Sequence, residues 1–313
     1  MPGCSHFTGD QMNACMRQEF LAARRTGIGG SDIGAILGVS PFKTAVDVYL
    51  SKTQPTPMDE PAEYTYWGHA VEPIIAQRFS EEHGIEVIRP DTIMRHPEHE
   101  WMVANLDGII PGERPGVLEI KNVNTFSAKA WGLEGSDEVP LTYVAQVAWY
   151  MAVKDYDYAV IAALFGGNEY REFRVERDSE LEAILIDAGR TFWFKHVLPR
   201  IAPEAKTLSD VASLFKSDDG GAVEADDALF DLCTQLKSAK AQSKSMVSKI
   251  ELLETKIKAC MGKSAMLRYQ GQLLATWKTQ ASQRVDIKAF EQAHPELCQQ
   301  FRKTSESRTF RLK

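Results

Sequence analysis

The chain is 313 residues long, with 44% apolar and 25% charged residues, values that suit a soluble globular protein with a sizeable core in one large domain or two. No apolar run approaches the roughly 18 residues that a membrane span needs, and the start lacks a basic-then-apolar leader pattern, so a cytoplasmic protein with no membrane association is expected. The net charge of −7 is unevenly spread: residues 228–313 hold 16 Lys+Arg against 7 Asp+Glu, so the tail reads either as a phosphate- or partner-binding surface or as the solvated face of a helix. Five scattered cysteines, Cys4, Cys15, Cys233, Cys260 and Cys298, include no C-x-x-C pair and give neither a disulfide framework nor a zinc site.

Residues 1–12 read as polar and untethered, and 13–24 as a helix with a basic end. The glycine-rich run 27–32 follows, where Ser31 or Asp32 can cap a helix over 33–37. Free N–H groups at such an N-terminus attract an anion. A second helix covers 47–52, then a Pro- and Thr-rich loop covers 53–61. A long amphipathic helix over 66–83 puts Val71, Ile74, Ile75 and Phe79 on one face and leaves Glu72 as an ordinary polar position. Segments 85–89 and 92–96 suggest a strand pair, and His96 and His99 read as surface histidines.

The stretch 101–123 reads as two apolar runs, 102–110 and 117–123, joined by Pro-Gly-Glu-Arg-Pro-Gly, a strand–loop–strand pattern. Asp107 ends the first run, while Glu119 and Lys121 stand two apart on the second and so share a face. Two carboxylates and an ammonium on an apolar strand are expensive to bury unless paired or bound to metal, and a hard divalent cation resolves the repulsion. The same residues also fit a surface hairpin carrying a Glu–Lys ion pair.

Beyond this lie a polar loop at 122–129, a helix over 140–153 with Tyr143, Val147, Tyr150 and Met151 on one face, strands at 156–165 and 169–175, and an apolar helix over 181–198. Residues 203–227 read as a linker. Apolar or small residues then repeat at 3-4 spacing from Leu229 to Ile257, a heptad seam whose centre, Ala239 and Ser243, is weak enough that the helix packs on its own domain or bends rather than forming a strong dimer. A hairpin around Gln270-Gly271, a short helix and a strand over 308–312 complete the chain.

Asp107, eleven residues, then Glu119-Ile120-Lys121 resembles the PD-(D/E)xK nuclease signature. With Arg24-Arg25-Thr26-Gly27-Ile28-Gly29-Gly30-Ser31-Asp32, Trp67-Gly68-His69-Ala70-Val71-Glu72 and Tyr143 to Met151 in this order, the chain resembles the YqaJ-type viral recombinase family of lambda exonuclease-like enzymes over about residues 17–200. The resemblance implies an α/β fold with a central mixed sheet flanked by helices. With the linker and heptad helix read above, the chain divides into a catalytic domain over 1–202, a linker over 203–227, and a basic extension over 228–313 with a long helix and a β-hairpin.

The resemblance further implies a metal-dependent deoxyribonuclease digesting linear duplex DNA from 5′ to 3′, to leave single strands for phage-type recombination. Asp107, Glu119, the Ile120 carbonyl and Glu72 would hold Mg²⁺, with Mn²⁺ as a substitute, and Gln146 would face the site. Lys121 would act as base or as electrostatic stabiliser. Arg24 and Ser31, with Arg25 left open beside Arg24, would hold the DNA 5′-phosphate. The implied partners are double-stranded DNA ends, a single-strand annealing protein and further copies of the chain in a trimer, in a bacterial host and of phage or prophage origin. A restriction-type endonuclease on the same site and an idle adaptor acting through the C-terminal helix are the rival readings.

Overall fold

The computed structural model describes residues 21–55, 63–90, 92–304 and 307–313. The polar start, most of the helix expected over 13–24, Cys4, Cys15 and most of the 53–61 loop therefore lie outside the described residues. The chain divides into two compact units between Leu214 and Phe215.

In the first unit a helical segment over 21–25 leads through Gly27–Gly29 into α1 (Gly30–Ile36). Neither Ser31 nor Asp32 caps this helix. Gly29 is the N-cap, and Asp32, three residues on, accepts its N–H at 3.0 Å. α2 (Ala45–Thr53) begins at Thr44, whose hydroxyl accepts from Asp47 N–H while the Asp47 carboxylate accepts from Thr44 N–H, a reciprocal cap. α3 (Glu63–His83) follows, and Gly84 leaves it in a left-handed turn.

The strand pair expected from 85–89 and 92–96 does not form. Ile88 makes one isolated bridge to Ile109, and β1 (Met94–Arg95) pairs instead with β2 (Val103–Ala104). The apolar run 102–110 is accordingly split: β2 serves that ribbon, Asn105 and Leu106 belong to neither strand, and β3 (Gly108–Ile110) pairs antiparallel with β4 (Gly116–Val123). A 3₁₀ turn (Thr125–Ala130) and α4 (Leu141–Lys154) carry the chain over to β5 (Tyr158–Phe165), which lies parallel to β4. A parallel pair requires such a crossover. β6 (Glu169–Glu176) closes the mixed sheet in the order β3-β4-β5-β6, and α5 (Ser179–Phe192), capped by Asp178 and ending in a π-turn, Trp193–Val197, packs against α4. This is an α/β fold with a central mixed sheet flanked by helices.

Two apolar clusters lie on the two faces of that sheet. Period-2 alternation sends Val117 and Val123 of β4 to the α4 side, and Leu118 and Ile120 to the side where α3 presents Ile75, Ala76 and Phe79. α4 is buried almost all round from Ala145 to Val153, and the Trp149 indole N–H donates to the Val103 carbonyl at 3.0 Å.

The segment expected as linker contains α6 (Leu208–Leu214), tied to the first unit. Buried Asp210 accepts from the Thr44 hydroxyl at 2.6 Å and from the N–H groups of Lys206 and Thr207 at 2.9 Å.

The second unit holds α7 (Asp227–Met261), a hairpin of β7 (Met266–Tyr269) and β8 (Gln272–Thr276), and two short helices, α8 (Ile287–Ala293) and α9 (Pro295–Gln300). Gln270 and Gly271 both take positive φ, +48° and +83°, the backbone of a two-residue hairpin turn. The strand expected over 308–312 is absent among the described residues. No helix among them is long and apolar enough to cross a membrane.

Candidate active site

The β3–β4 register pairs Gly108 with Leu118, so one step further Asp107 stands opposite Glu119. Asp107 is partly buried and accepts the Ile120 N–H at 2.8 Å, which locks the carboxylate to the strand carrying its neighbours. Glu119 is almost fully buried at 2% exposure. Its Oε1 accepts from both the Lys121 ammonium and, at 2.6 Å, the Gln146 amide, whereas its Oε2 is buried with no hydrogen-bond partner.

Burial pushes the Asp107 carboxyl well above the ordinary carboxylate range, and the Glu119 charge opposite adds to the rise. Burial likewise raises Glu119 against the pull of Lys121. Burial would strip the proton from Lys121, but Glu119 and Asp107 together overcome it and hold the ammonium protonated.

Gln146 projects from α4 across the odd-numbered face of β4. Its amide also reaches the Tyr150 hydroxyl at 3.2 Å, and its Oε1 accepts from Lys121 Nζ at 3.3 Å. One turn earlier on α4, the Tyr143 ring lies 4.9 Å below the same ammonium, a cation–π contact that walls one side of the cluster.

The glycine-rich loop packs directly against this cluster. Arg24 Nη2 donates to Ser31 Oγ at 2.7 Å, so of the two arginines Arg24 is the one joined to the serine. Beneath them lies a buried ion pair: Lys52 Nζ stands 2.6 Å from Asp32 Oδ2 and donates to the Arg24 carbonyl at 2.8 Å. Burial disfavours the charged carboxyl of Asp32, but Lys52, Arg24 and the Gly29 N–H outweigh it and hold this group below the ordinary range. α1 touches α4 so closely that a Cβ on Gly30 would lie 2.5 Å from Tyr150 Cε1 and 2.8 Å from the Gln146 carbonyl oxygen.

Glu72 is not brought into the cluster. It hangs from α3, the helix on the opposite face of the sheet, beside Pro73, whose missing N–H interrupts the helical hydrogen bonds there. Its two oxygens meet His69 Nδ1 at 3.1 Å and Arg89 Nη2 at 3.6 Å. Its charge still reaches Asp107 and Glu119, raising both. Among the described residues no three His, Cys, Asp or Glu side chains form a group able to hold a metal. Two facing carboxylates, one with an orphaned buried oxygen, fit a hard cation that keeps several waters or takes substrate phosphate, rather than an all-protein cage.

Residues 19–157 match the family model of the YqaJ-like viral recombinase domain. A Bacillus subtilis (strain 168) protein described as uncharacterized protein YqaJ is 33% identical over 305 residues, spanning 95% of this chain and 94% of that one. The chain belongs to the YqaJ-like viral recombinase family.

Among solved structures, LHK-Exo in complex with dAMP is 20% identical with a TM-score of 0.47, covering 56% of this chain and 91% of that one. The alkaline exonuclease LHK-Exo from Laribacter hongkongensis is 21% identical with a TM-score of 0.45 and the same coverage. A phage-related exonuclease from Haemophilus somnus 129PT is 15% identical with a TM-score of 0.42, covering 54% and 94%.

Four residues of this YqaJ-family chain enter the site's framework without having been singled out for it in the sequence: Asp32, Lys52, Tyr143 and Tyr150. Both tyrosines lie in the Tyr143–Met151 motif but carry no role there beyond apolar positions of a helix face. Asp32 and Lys52 stand twenty residues apart on different helices, with no pattern linking them.

Proposed function

We propose that the chain is a divalent-metal-dependent DNA exonuclease that degrades linear duplex from a 5′ end toward 3′ and leaves single strands for a single-strand annealing partner. The reading rests on one observation above the others: Glu119 Oε2 is buried without a partner, beside a second carboxylate whose burial raises its pKa. Buried polar atoms are paired almost without exception, so an orphaned carboxylate oxygen next to a second carboxylate argues for a missing cation. When bound, Mg²⁺ or Mn²⁺ would activate water and neutralise charge on the scissile phosphate.

Asp107 and Glu119 would hold the ion, with the Ile120 carbonyl as a further ligand. Glu72 joins them only if its side chain leaves His69 and Arg89. Lys121, charged and donating to Glu119, presents its ammonium to the scissile phosphate or the attacking water. Gln146 fixes both Glu119 and Lys121, and Tyr143 screens the ammonium from bulk water. Arg24 and Ser31 would receive the terminal 5′-phosphate: the guanidinium matches phosphate geometry and the hydroxyl donates beside it.

The deciding experiment incubates the purified chain with end-labelled linear duplex, with and without a 5′-phosphate, and with closed circular duplex, in Mg²⁺ or EDTA. Release of label from phosphorylated linear ends in Mg²⁺ alone is expected. Cutting of closed circles would replace the exonuclease reading with an endonuclease, and full activity of Lys121→Ala would remove that residue from the reaction.

A further inference from the structure

Asp32 and Lys52 are charged, buried and unused by the chemistry proposed above. Their side chains are 5% and 4% exposed, and Lys52 Nζ lies 2.6 Å from Asp32 Oδ2. Stability alone is a poor account of such a pair, because the cost of taking two charges out of water offsets most of their attraction. Apolar side chains of similar volume serve a fold as well or better. What this pair does supply is two further bonds, and both end on the backbone of the loop that carries Arg24 and Ser31. Asp32 Oδ2 also accepts the Gly29 N–H at 3.0 Å, and Lys52 Nζ also donates to the Arg24 carbonyl at 2.8 Å. The Gly29 N–H, Asp32, Lys52 and the Arg24 carbonyl thus form one continuous chain of bonds beneath the loop. Above it the Arg24 guanidinium closes the ring, donating to Ser31 Oγ at 2.7 Å.

The middle of the loop is fixed to the carboxylate cluster by other contacts. The Ile28 N–H donates to the Trp101 carbonyl at 2.7 Å, and the Ile28 carbonyl accepts from the Val103 N–H at 2.9 Å, four residues before Asp107. Gly30 lies against Tyr150 and the Gln146 carbonyl. Arg24 stands four residues back from Ile28, and Lys52 of α2 ties that end of the loop to Asp32.

We infer, on the reading that Arg24 and Ser31 receive the DNA 5′-phosphate, that Asp32 and Lys52 are the positioning pair of that pocket. They hold the backbone at Gly29 and Arg24 so that the Ser31 hydroxyl and the guanidinium converge on one phosphate group before it arrives. Both charges act through their neighbours, in the way that supporting side chains fix the groups that touch a ligand. Without Lys52 the Arg24 carbonyl loses this donor, and ordering the guanidinium becomes a cost of binding. That cost falls on capture of the phosphorylated end, not on cleavage of the phosphodiester bond.

The test uses the full-length chain and short labelled duplexes bearing a 5′-phosphate or a 5′-hydroxyl, followed by fluorescence anisotropy in EDTA and by label release in Mg²⁺. Lys52→Met keeps the volume but leaves the Asp32 carboxylate buried without its cation, so it is expected to lower Tm. Asp32→Asn with Lys52→Met removes both charges and is expected to recover most of that loss. Both variants are nevertheless expected to bind the phosphorylated duplex about tenfold more weakly, with KM rising by the same factor, kcat nearly unchanged, and a much smaller effect on the hydroxyl duplex. Arg177→Met, which unties Asp155 and Glu182, is the control and is expected to lower Tm without changing the preference for phosphate. Equal losses on both kinds of end, a preference that returns together with Tm in the double variant, or a preference lost in Arg177→Met would each overturn the inference. A preference that Arg24→Ala removes and Lys52→Met retains would overturn it and leave the reading of Arg24 and Ser31 standing. A parent chain that ignores the 5′-phosphate would overturn both.

Discussion

Gly30→Ala isolates the contact that joins the glycine-rich loop to the carboxylate cluster. Gly30 opens α1 with an ordinary helical backbone, so the substitution introduces no backbone strain, and its whole effect comes from the added methyl. That methyl would lie 2.5 and 2.9 Å from Tyr150 Cε1 and Cζ, and 2.8 Å from the Gln146 carbonyl oxygen. The carbonyl belongs to the backbone of a buried helix and Tyr150 is 4% exposed, so neither gives way easily. Overpacking of this kind costs about 1–3 kcal/mol, and displacing Tyr150 from Gln146 adds about 1 kcal/mol. The gain in helix propensity returns less than about 1 kcal/mol, leaving a net loss of about 1–3 kcal/mol. For a unit of this size that lowers Tm by roughly 2–10 °C. Gly68→Ala is the control, since a Cβ there meets nothing within 4 Å in the middle of α3 and is expected to stabilise by up to about 1 kcal/mol. Urea or thermal unfolding of the two variants beside the parent chain gives the answer. If Gly30→Ala unfolds no earlier than Gly68→Ala, the close packing of α1 on α4 is refuted.

Three further outcomes are expected. Mn²⁺ should raise the Tm of the parent chain, by the equivalent of about 2.7 kcal/mol at a hundred times its dissociation constant, and EDTA should reverse the gain. Asp107→Asn should abolish the response, and an unchanged response would place the cation elsewhere. Arg24→Ala should slow the start of digestion on 5′-phosphorylated ends much more than on hydroxyl ends, as followed by label release; equal losses on both would make the arginine structural only. Asp210 is held below the ordinary carboxylate range, chiefly by the Thr44 hydroxyl against the opposing effect of burial, with the Lys206 and Thr207 N–H groups helping. Its stabilisation is therefore complete above its unfolded pKa of about 3.9 and is lost as the pH falls through its lower folded value. Asp210→Asn should lower stability at pH 7 by about 1 kcal/mol and flatten the acid limb of the unfolding profile; an identical limb in the variant contradicts the assignment.

The pair on β4 was legible because a strand repeats every two residues: Glu119 and Lys121 had to share a face, and the turn before them had to bring back the chain carrying Asp107. What periodicity could not convey was that 102–110 serves two sheets, since Val103 and Ile109 look alike and only the tertiary bridges separate them. α6 was hidden in a polar segment by its brevity, although Thr207 and Asp210, three residues apart, form a cap that could have been read. Gln146 was reachable only through family resemblance, because a lone amide on a helix carries no spacing signal. For Glu72 the same resemblance meets a side chain engaged with His69 and Arg89, on the helix that covers the other face of the sheet. Helix α7 was plain in the sequence from its 3-4 spacing.

The pairing of β4 also bears on how the chain is made. β3 lies a few residues upstream of β4, but the opposite edge of β4 is completed only by β5, with Glu119 beside Ile161, forty-two positions later in synthesis. The carboxylate cluster on β4 therefore gains its parallel neighbour only once the α4 crossover has been translated, a non-local pairing of the kind that forms slowly.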